Sequence, residues 1–368
     1  MYIKNEGEEM IKVLQIIDGK SFGGIAKLIY DIKMYISDEI IMDVLTATNI
    51  YDRWFNLNIS RETSKGRIIY NYRLFKFLKE RKYDIVHINS GAFFFTLQVV
   101  ITAKLAGVKK IIVHSHNTPH ISRHKMGLIK VLNPLYRKLI DVKLTCSSMA
   151  TKSLFTKTDD VIYLKNGIDI EKFKFDESIR QKYRKDLDIE DKFVYGHVGR
   201  FERQKNHDFL IDIFYEIQKI NEKSVLLLVG DGKLENSIKE KVQNLGIEEK
   251  VMFLGFRNDI SSILNAMDFF ILPSLYEGLP ICLIEAQTSG LPVFVSSGVT
   301  DESNISNSFY KIELNDASIW AERILDTKVN DINDRKNAYQ DTIQNGFDIK
   351  GTASQLEEIY RNVVNMKR

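Results

Sequence analysis

Short runs of β-branched and aromatic residues recur along this chain at intervals filled by amphipathic stretches, and that alternation leaves few architectures open. A strand followed by a helix before the next strand cannot close a hairpin with it; it pairs in parallel while the helices cover the sheet. In the first half, strands are predicted over residues 13–17, 41–45, 85–88, 110–114, 143–146 and 161–164. The pattern restarts over residues 193–198, 224–229, 251–254, 269–272 and 292–295, with helical spacing over 208–220 and 234–245 between them. The expected fold class is α/β, two such units in tandem.

At 368 residues the chain is long enough for two domains, each with a core of its own. The turn Asn166-Gly167-Ile168-Asp169 precedes a highly charged run through Asp191 with little apolar periodicity, which places the junction there. Beyond Asn315 the pattern turns helical, and residues 355–364 carry apolar side chains at helical spacing. The expected domains are residues 1–165 and 166–350, with a closing helix over 351–368 that can pack back on the first.

The net charge of +3 conceals an asymmetry. Residues 1–165 hold 26 Lys+Arg against 15 Asp+Glu, and residues 166–368 hold 26 against 34. Most of the front excess lies between residues 61 and 143, with 17 basic and 4 acidic side chains. A polyanion or an anionic membrane surface fits such a balance. Within it, residues 121–140 mix Arg123, Lys125, Lys130, Arg137 and Lys138 with apolar residues. That segment reads as a buried helix pair broken at Pro134, its basic stems reaching solvent, while the wider basic excess favours attraction to a membrane surface.

Other classes are disfavoured. Cys146 and Cys282 provide no disulfide framework and fit a reducing compartment. Residues 1–9 lack the basic and apolar regions of a secretory signal, so a cytoplasmic protein is expected. The most apolar stretch, residues 92–101, is interrupted by Thr96 and Gln98 and ends at Lys104, well short of the roughly 20 residues of a spanning helix.

Four motifs follow predicted strands. Gly23-Gly24 opens a helix after the first strand, where missing side chains let a ligand approach the backbone and helix N–H groups suit phosphate; the glycine spacing fits neither the dinucleotide fingerprint nor the P-loop, and a ligand-free tight turn reads equally well. His114-Ser115-His116-Asn117 closes a strand at its carboxyl end, where open α/β sheets place ligands, with no third ligand nearby for a metal. In Val198-Gly199-Arg200-Phe201-Glu202-Arg203-Gln204-Lys205, a guanidinium and an ammonium span one turn and suit the two phosphates of a nucleoside diphosphate; a solvated basic loop is the alternative. In Leu272-Pro273-Ser274-Leu275-Tyr276-Glu277-Gly278-Leu279-Pro280-Ile281, a carboxylate at a strand end precedes a turn and a helix N-terminus, and Glu285 follows two helical turns in. Carboxylates so placed accept hydrogen bonds from sugar hydroxyls.

On these residues the chain resembles the GT-B-fold retaining glycosyltransferases of family 4, the group 1 type. The resemblance rests on Glu277 and Glu285, separated by seven residues, within Pro-Ser-x-x-Glu-Gly-Leu-Pro and Glu-Ala-x-x-x-Gly-x-Pro. Gly23-Gly24, Asn166-Gly167-Ile168-Asp169, Gly199-Arg200 with Lys205, Gly230-Asp231-Gly232 and Phe253-Leu254-Gly255 support it in the family's order. Gln287 and Thr288-Ser289 depart from the commoner Met-Ala-Cys, which affects packing more than chemistry. The His-Ser-His-Asn form resembles that of bacterial capsule and exopolysaccharide transferases.

The resemblance implies two Rossmann-like domains with parallel sheets facing a cleft. It implies a UDP- or GDP-linked sugar held mainly by the second domain, a hydroxyl acceptor such as a lipid-linked saccharide held by the first, retention at the anomeric carbon, and no cofactor or metal. His116, Arg200, Lys205 and Glu277 then take catalytic roles. Donor binding falls to Gly23, Gly24, Asn166, Gly199, Gly230, Gly278, Leu279, Pro280, Ile281 and Glu285. A sugar-nucleotide epimerase or isomerase on the same architecture is the main rival, disfavoured by Glu277 with Glu285 and Arg200 with Lys205. A nucleic-acid-binding role for the basic half has no recognised motif behind it.

Overall fold

Strands buried on both faces build the two sheets of the computed structural model, which describes residues 10–18, 24–46, 54–57, 61, 63–116 and 123–366, the side chains of 123–126 excepted. The chain divides into two compact units, Met1–Gly167 with Ile349–Arg368, and Ile168–Asp348.

The first unit holds β1 (Ile11–Ile17), β2 (Ile40–Thr46), β3 (Phe55–Asn56), β4 (Ile85–Ser90), β5 (Lys110–Ser115), β6 (Val142–Thr145) and β7 (Val161–Tyr163), in the order β3-β2-β1-β4-β5-β6-β7. Every pairing is parallel. Alternation along β1 splits its side chains between two cores. Leu14 and Ile16 pack with Leu74, Leu78 and Val99, whereas Val13 and Ile17 pack with Ile29, Ile32, Leu356 and Tyr360. The helix Ile349–Asn365 joins this second core through Ile349, Ala353, Leu356, Tyr360 and Val363, a spacing that keeps one face on the sheet.

The second unit holds β8 (Phe193–Val198), β9 (Ser224–Val229), β10 (Val251–Gly255), β11 (Phe269–Leu272), β12 (Val293–Ser296) and β13 (Phe309–Ile312), in the order β10-β9-β8-β11-β12-β13, again parallel throughout. β9 and β11 are buried along their whole length, which is why they read as unbroken apolar runs. Strand order reverses between β1 and β4 in one unit and between β8 and β11 in the other. The crevice at the carboxyl ends of such a pair is where open α/β sheets bind ligands.

Three local readings change. The charged run after Asp169 contains a helix, Glu177–Asp186, capped by Asp176. Its inward face is charged rather than apolar: Arg180 and Arg184 reach buried Asp268 at 2.5 and 3.2 Å. Residues 123–138 form one helix running through Pro134 rather than a pair broken there. Pro134 and Lys130, whose carbonyl loses its helical donor, both lie on the exposed side of the helix. That helix is also only half covered: Ile129, Asn133 and Tyr136 are buried, while Leu128, Val131 and Leu135 stand in solvent.

Candidate active site

In the second unit, β8 and β11 end side by side, and the loops leaving them are stitched together. The Leu275 amide donates to the Gln204 carbonyl at 2.8 Å, and Asn206 Nδ2 donates to the Pro273 carbonyl at 3.1 Å. Gln204 Nε2 donates to the Tyr276 carbonyl at 3.0 Å and to Glu277 Oε2 at 3.2 Å. Lys205 Nζ meets Glu277 Oε1 at 2.7 Å, with both side chains largely withdrawn from solvent. A buried ion pair is stable only where further hydrogen bonds satisfy it, and Gln204 supplies one.

The ammonium sits in a field of several groups. Burial opposes the charge of Lys205, but the neighbouring Cys282 and Glu277 outweigh it and hold its pKa above the ordinary lysine value. Burial pushes the Cys282 thiol up to about 11; Lys205 opposes that shift, while Glu277 and Glu285 reinforce it. Lys205, Glu277 and Glu285 therefore converge around Cys282, in the first turn of the helix Ile281–Thr288 that Pro280 caps. The first N–H groups of that helix lack intrahelical partners and favour an anion. Arg200 differs from Lys205. Its side chain is two-thirds exposed and pairs with Glu202 at 3.1 Å, yet it is near enough to Lys205 to oppose the lysine's charge. The clamp read from sequence is thus one buried cation and one exposed on the surface.

The glycines have packing reasons of their own. Gly230, at φ +135°, lies so close to the Gly199 carbonyl that a Cβ would stand 2.1 Å from the oxygen. A Cβ on Gly199 would meet His197 Nε2 at 2.8 Å and the Lys205 stem at 3.1 Å. Gly230 thus lets the turn after β9 approach the turn after β8, and Gly199 lets the Lys205 stem fold back beside His197, whatever the ligand. Behind Lys205, His197 and His207 are held neutral mainly by burial, His207 down to about 4.

In the first unit, Gly24 begins the helix Gly24–Tyr35 with open space where a Cβ would stand; Gly23 lies outside the described residues. His116 follows β5 and is buried against His114, ring centroids 3.9 Å apart. Its Nε2 contacts Asn89 Oδ1 at 3.0 Å; Asn166 is near enough to favour protonation of the ring, but its Oδ1 and His116 Nδ1 make no hydrogen bond. Burial nevertheless dominates and holds His116 and His87 down to about 3, with His114 also well below the ordinary value. Among the described residues no three His, Cys, Asp or Glu side chains are grouped as metal ligands. Gln204, Cys282 and Asn89 are site neighbours that motif spacing did not single out; the signal for Asn89 was the run of polar residues, His87, Asn89 and Ser90, in a fully buried strand.

Residues 179–346 match the family "Glycosyl transferases group 1". The UDP-Gal:alpha-D-GlcNAc-diphosphoundecaprenol alpha-1,3-galactosyltransferase of Escherichia coli is 33% identical over 307 residues, covering 79% of this chain and 78% of that protein. The chain belongs to the group 1 glycosyl transferases. The putative glycosyltransferase EpsF of Bacillus subtilis (strain 168) is 28% identical over 377 residues, 95% of this chain and 96% of that one. The crystal structure of Anabaena HepE in complex with UDP and glucose superposes with a TM-score of 0.78 at 21% identity, across 96% of this chain and 100% of that chain. The two Rossmann-like units are those of the GT-B fold, and this group 1 glycosyl transferase carries its buried ion pair at the switch point of the second.

Two outcomes follow from this geometry. His87, His114, His116, His197 and His207 have native pKa values below their unfolded value, so between about pH 6.5 and 3 the unfolded chain binds protons the native one refuses. Stability should fall on acidification through that window, by up to about 1.4 kcal/mol per pH unit for each histidine. Urea midpoints that stay flat from pH 7 to 5 would contradict it. Glu277→Gln strands the Lys205 charge and should lower turnover by about 10², and by more than Glu285→Gln does. Steady-state rates on folded variants check this; a wild-type rate for Glu277→Gln removes that carboxylate from the site.

Proposed function

We propose that this glycosyltransferase moves a hexose from a UDP-sugar to a hydroxyl of a lipid-linked saccharide in the assembly of a cell-surface glycan, with retention at the anomeric carbon and without a metal ion. The observation that carries the reading is the Lys205–Glu277 pair, set beside a helix N-terminus at the carboxyl ends of β8 and β11. It offers positive charge for a diphosphate and carboxylate lone pairs for sugar hydroxyls at one place. UDP is favoured because the E. coli relative is named for UDP-Gal and HepE was solved with UDP. A lipid-linked acceptor is favoured by the diphosphoundecaprenol in the same relative's name.

In this mechanism the bond between the anomeric carbon and the β-phosphate oxygen breaks, and negative charge grows on the diphosphate. Lys205, Arg200 and the amides of Gly278, Leu279 and Ile281 meet that charge. The acceptor oxygen attacks the same face, and its proton passes to the departing phosphate oxygen, so no carboxylate nucleophile is needed. Glu277 and Glu285 hold donor hydroxyls, and His116 binds a hydroxyl of the substrate sugar.

No helix among the described residues is long and apolar enough to cross a membrane. Attraction to an anionic lipid surface instead runs through the helix Arg123–Lys138. Leu128, Val131 and Leu135 form an exposed apolar ridge, 51, 75 and 61% accessible, with Lys130 and Lys138 exposed beside it. Each basic side chain near such a surface adds about 1 kcal/mol, and the ridge can enter the headgroup layer. Arg137 takes no part, because it is turned inward onto Asp160 and the Lys157 carbonyl.

UDP-sugars should raise the melting temperature by mass action, and transfer should persist in EDTA with product of unchanged anomeric configuration by proton NMR. Activity lost in EDTA and restored by Mn²⁺, or an inverted product, would contradict the mechanism. Co-sedimentation should show salt-sensitive binding to vesicles containing anionic lipid, weakened by Leu128→Ser with Val131→Ser and Leu135→Ser, and little changed by Arg137→Gln. Absence of binding at low salt would sink the membrane claim.

A further inference from the structure

A polar chain runs through the interior of the first unit, from the closing helix to His116. Asn89 Nδ2 donates to Gln15 Oε1 at 2.7 Å, and Gln15 Nε2 donates to the Tyr360 hydroxyl oxygen at 2.6 Å. That hydroxyl lies 2.7 Å from His87 Nδ1, and His116 Nε2 lies 3.0 Å from Asn89 Oδ1. Gln15, His87, Asn89 and Tyr360 are fully buried, on β1, β4 and the helix Ile349–Asn365.

Such a chain has two self-consistent directions. In one, Tyr360 gives its single proton to His87 Nδ1; Gln15 must then offer its amide N–H to the tyrosine oxygen, Asn89 must offer its own to Gln15, and Asn89 Oδ1 is left to accept from His116 Nε2–H. In the other, Tyr360 gives its proton to Gln15, both amides turn over, and His116 carries its proton on Nδ1 instead. The arrangement present is the first. It leaves His116 Nδ1 a buried acceptor with no donor among the described residues, and Asn166 Oδ1 beside it lacks a donor as well. In this direction Nδ1 is completed when an incoming hydroxyl or N–H donates to it.

We propose that Tyr360, acting through Gln15 and Asn89, is a positioning residue that holds His116 in the Nε2–H tautomer, so that Nδ1 accepts a hydrogen bond from a hydroxyl of the substrate sugar. The proposal rests on the reading above that His116 binds that sugar. His87 is part of the device, because in this direction its Nδ1 accepts the tyrosine proton.

The test separates the tautomer from the activity. In the full-length protein labelled with ¹⁵N-histidine, two-bond ¹H–¹⁵N spectra report each imidazole tautomer, with the His116 signals assigned by their loss in His116→Ala. Wild type should show His116 protonated at Nε2. Tyr360→Phe and His87→Phe, both keeping an aromatic ring, should shift it toward Nδ1–H; thermal melts establish that each is folded, and either variant alone suffices. An Nδ1–H tautomer in wild type, or an unmoved tautomer in the folded variants, would overturn the proposal. In transfer assays Tyr360→Phe should lower kcat about three- to tenfold, the scale of one lost hydrogen bond, and should cause no further loss in the His116→Ala background. Equal losses in both backgrounds would make Tyr360 merely structural and overturn its positioning role. Wild-type turnover in His116→Ala, with the tautomer as expected, would instead overturn the sugar-binding reading of His116 on which the proposal stands.

Discussion

The second unit depends on one buried contact, the ammonium of Lys205 on the carboxylate of Glu277. Neither charge is tolerable there alone, since removing one partner leaves the other desolvated and unpaired. The pair fixes the loop after β8 against the loop after β11 and so shapes the crevice where the sheet order reverses. It also places a cation beside the first turn of the helix Ile281–Thr288. With His197 and His207 held neutral behind it, Lys205 keeps its charge directed at that crevice without competing protonation near neutral pH.

The first unit uses different chemistry. His87, His114 and His116 are kept neutral by burial, and a tyrosine hydroxyl on His87 and an amide on His116, rather than charges, are their hydrogen-bond partners. An uncharged imidazole with a defined free nitrogen suits recognition of a sugar hydroxyl, whereas a fixed ammonium suits a diphosphate.

Much of this was legible in the sequence for a physical reason: strands of a covered parallel sheet must be apolar on both faces, so β1, β4, β8, β9 and β11 announce themselves. The edge strands β3 and β13 did not, because Phe55–Asn56 is two residues long and Phe309–Ile312 is only partly buried. The helix Glu177–Asp186 escaped notice because arginines on Asp268, not leucines, cover its inner face. At the site, the positions of Glu277, Lys205 and His116 at strand ends could be read from local motifs. Their partners could not. Lys205 was read with Arg200 as a paired clamp, and its closer bond to Glu277, 72 residues away, needs the fold. The link from Gln15 to Tyr360 spans 345 residues and leaves only isolated polar residues in apolar segments as its trace.

The central claim is that a nucleoside diphosphate is held by the cation that Glu277 fixes. Isothermal titration of UDP into wild type and Lys205→Gln, in buffer containing EDTA, tests it most directly. Wild type should bind UDP, and the folded variant should bind it at least about tenfold more weakly, the scale of one charge-assisted hydrogen bond. Equal affinity in the two proteins, both melting cooperatively, would contradict the account.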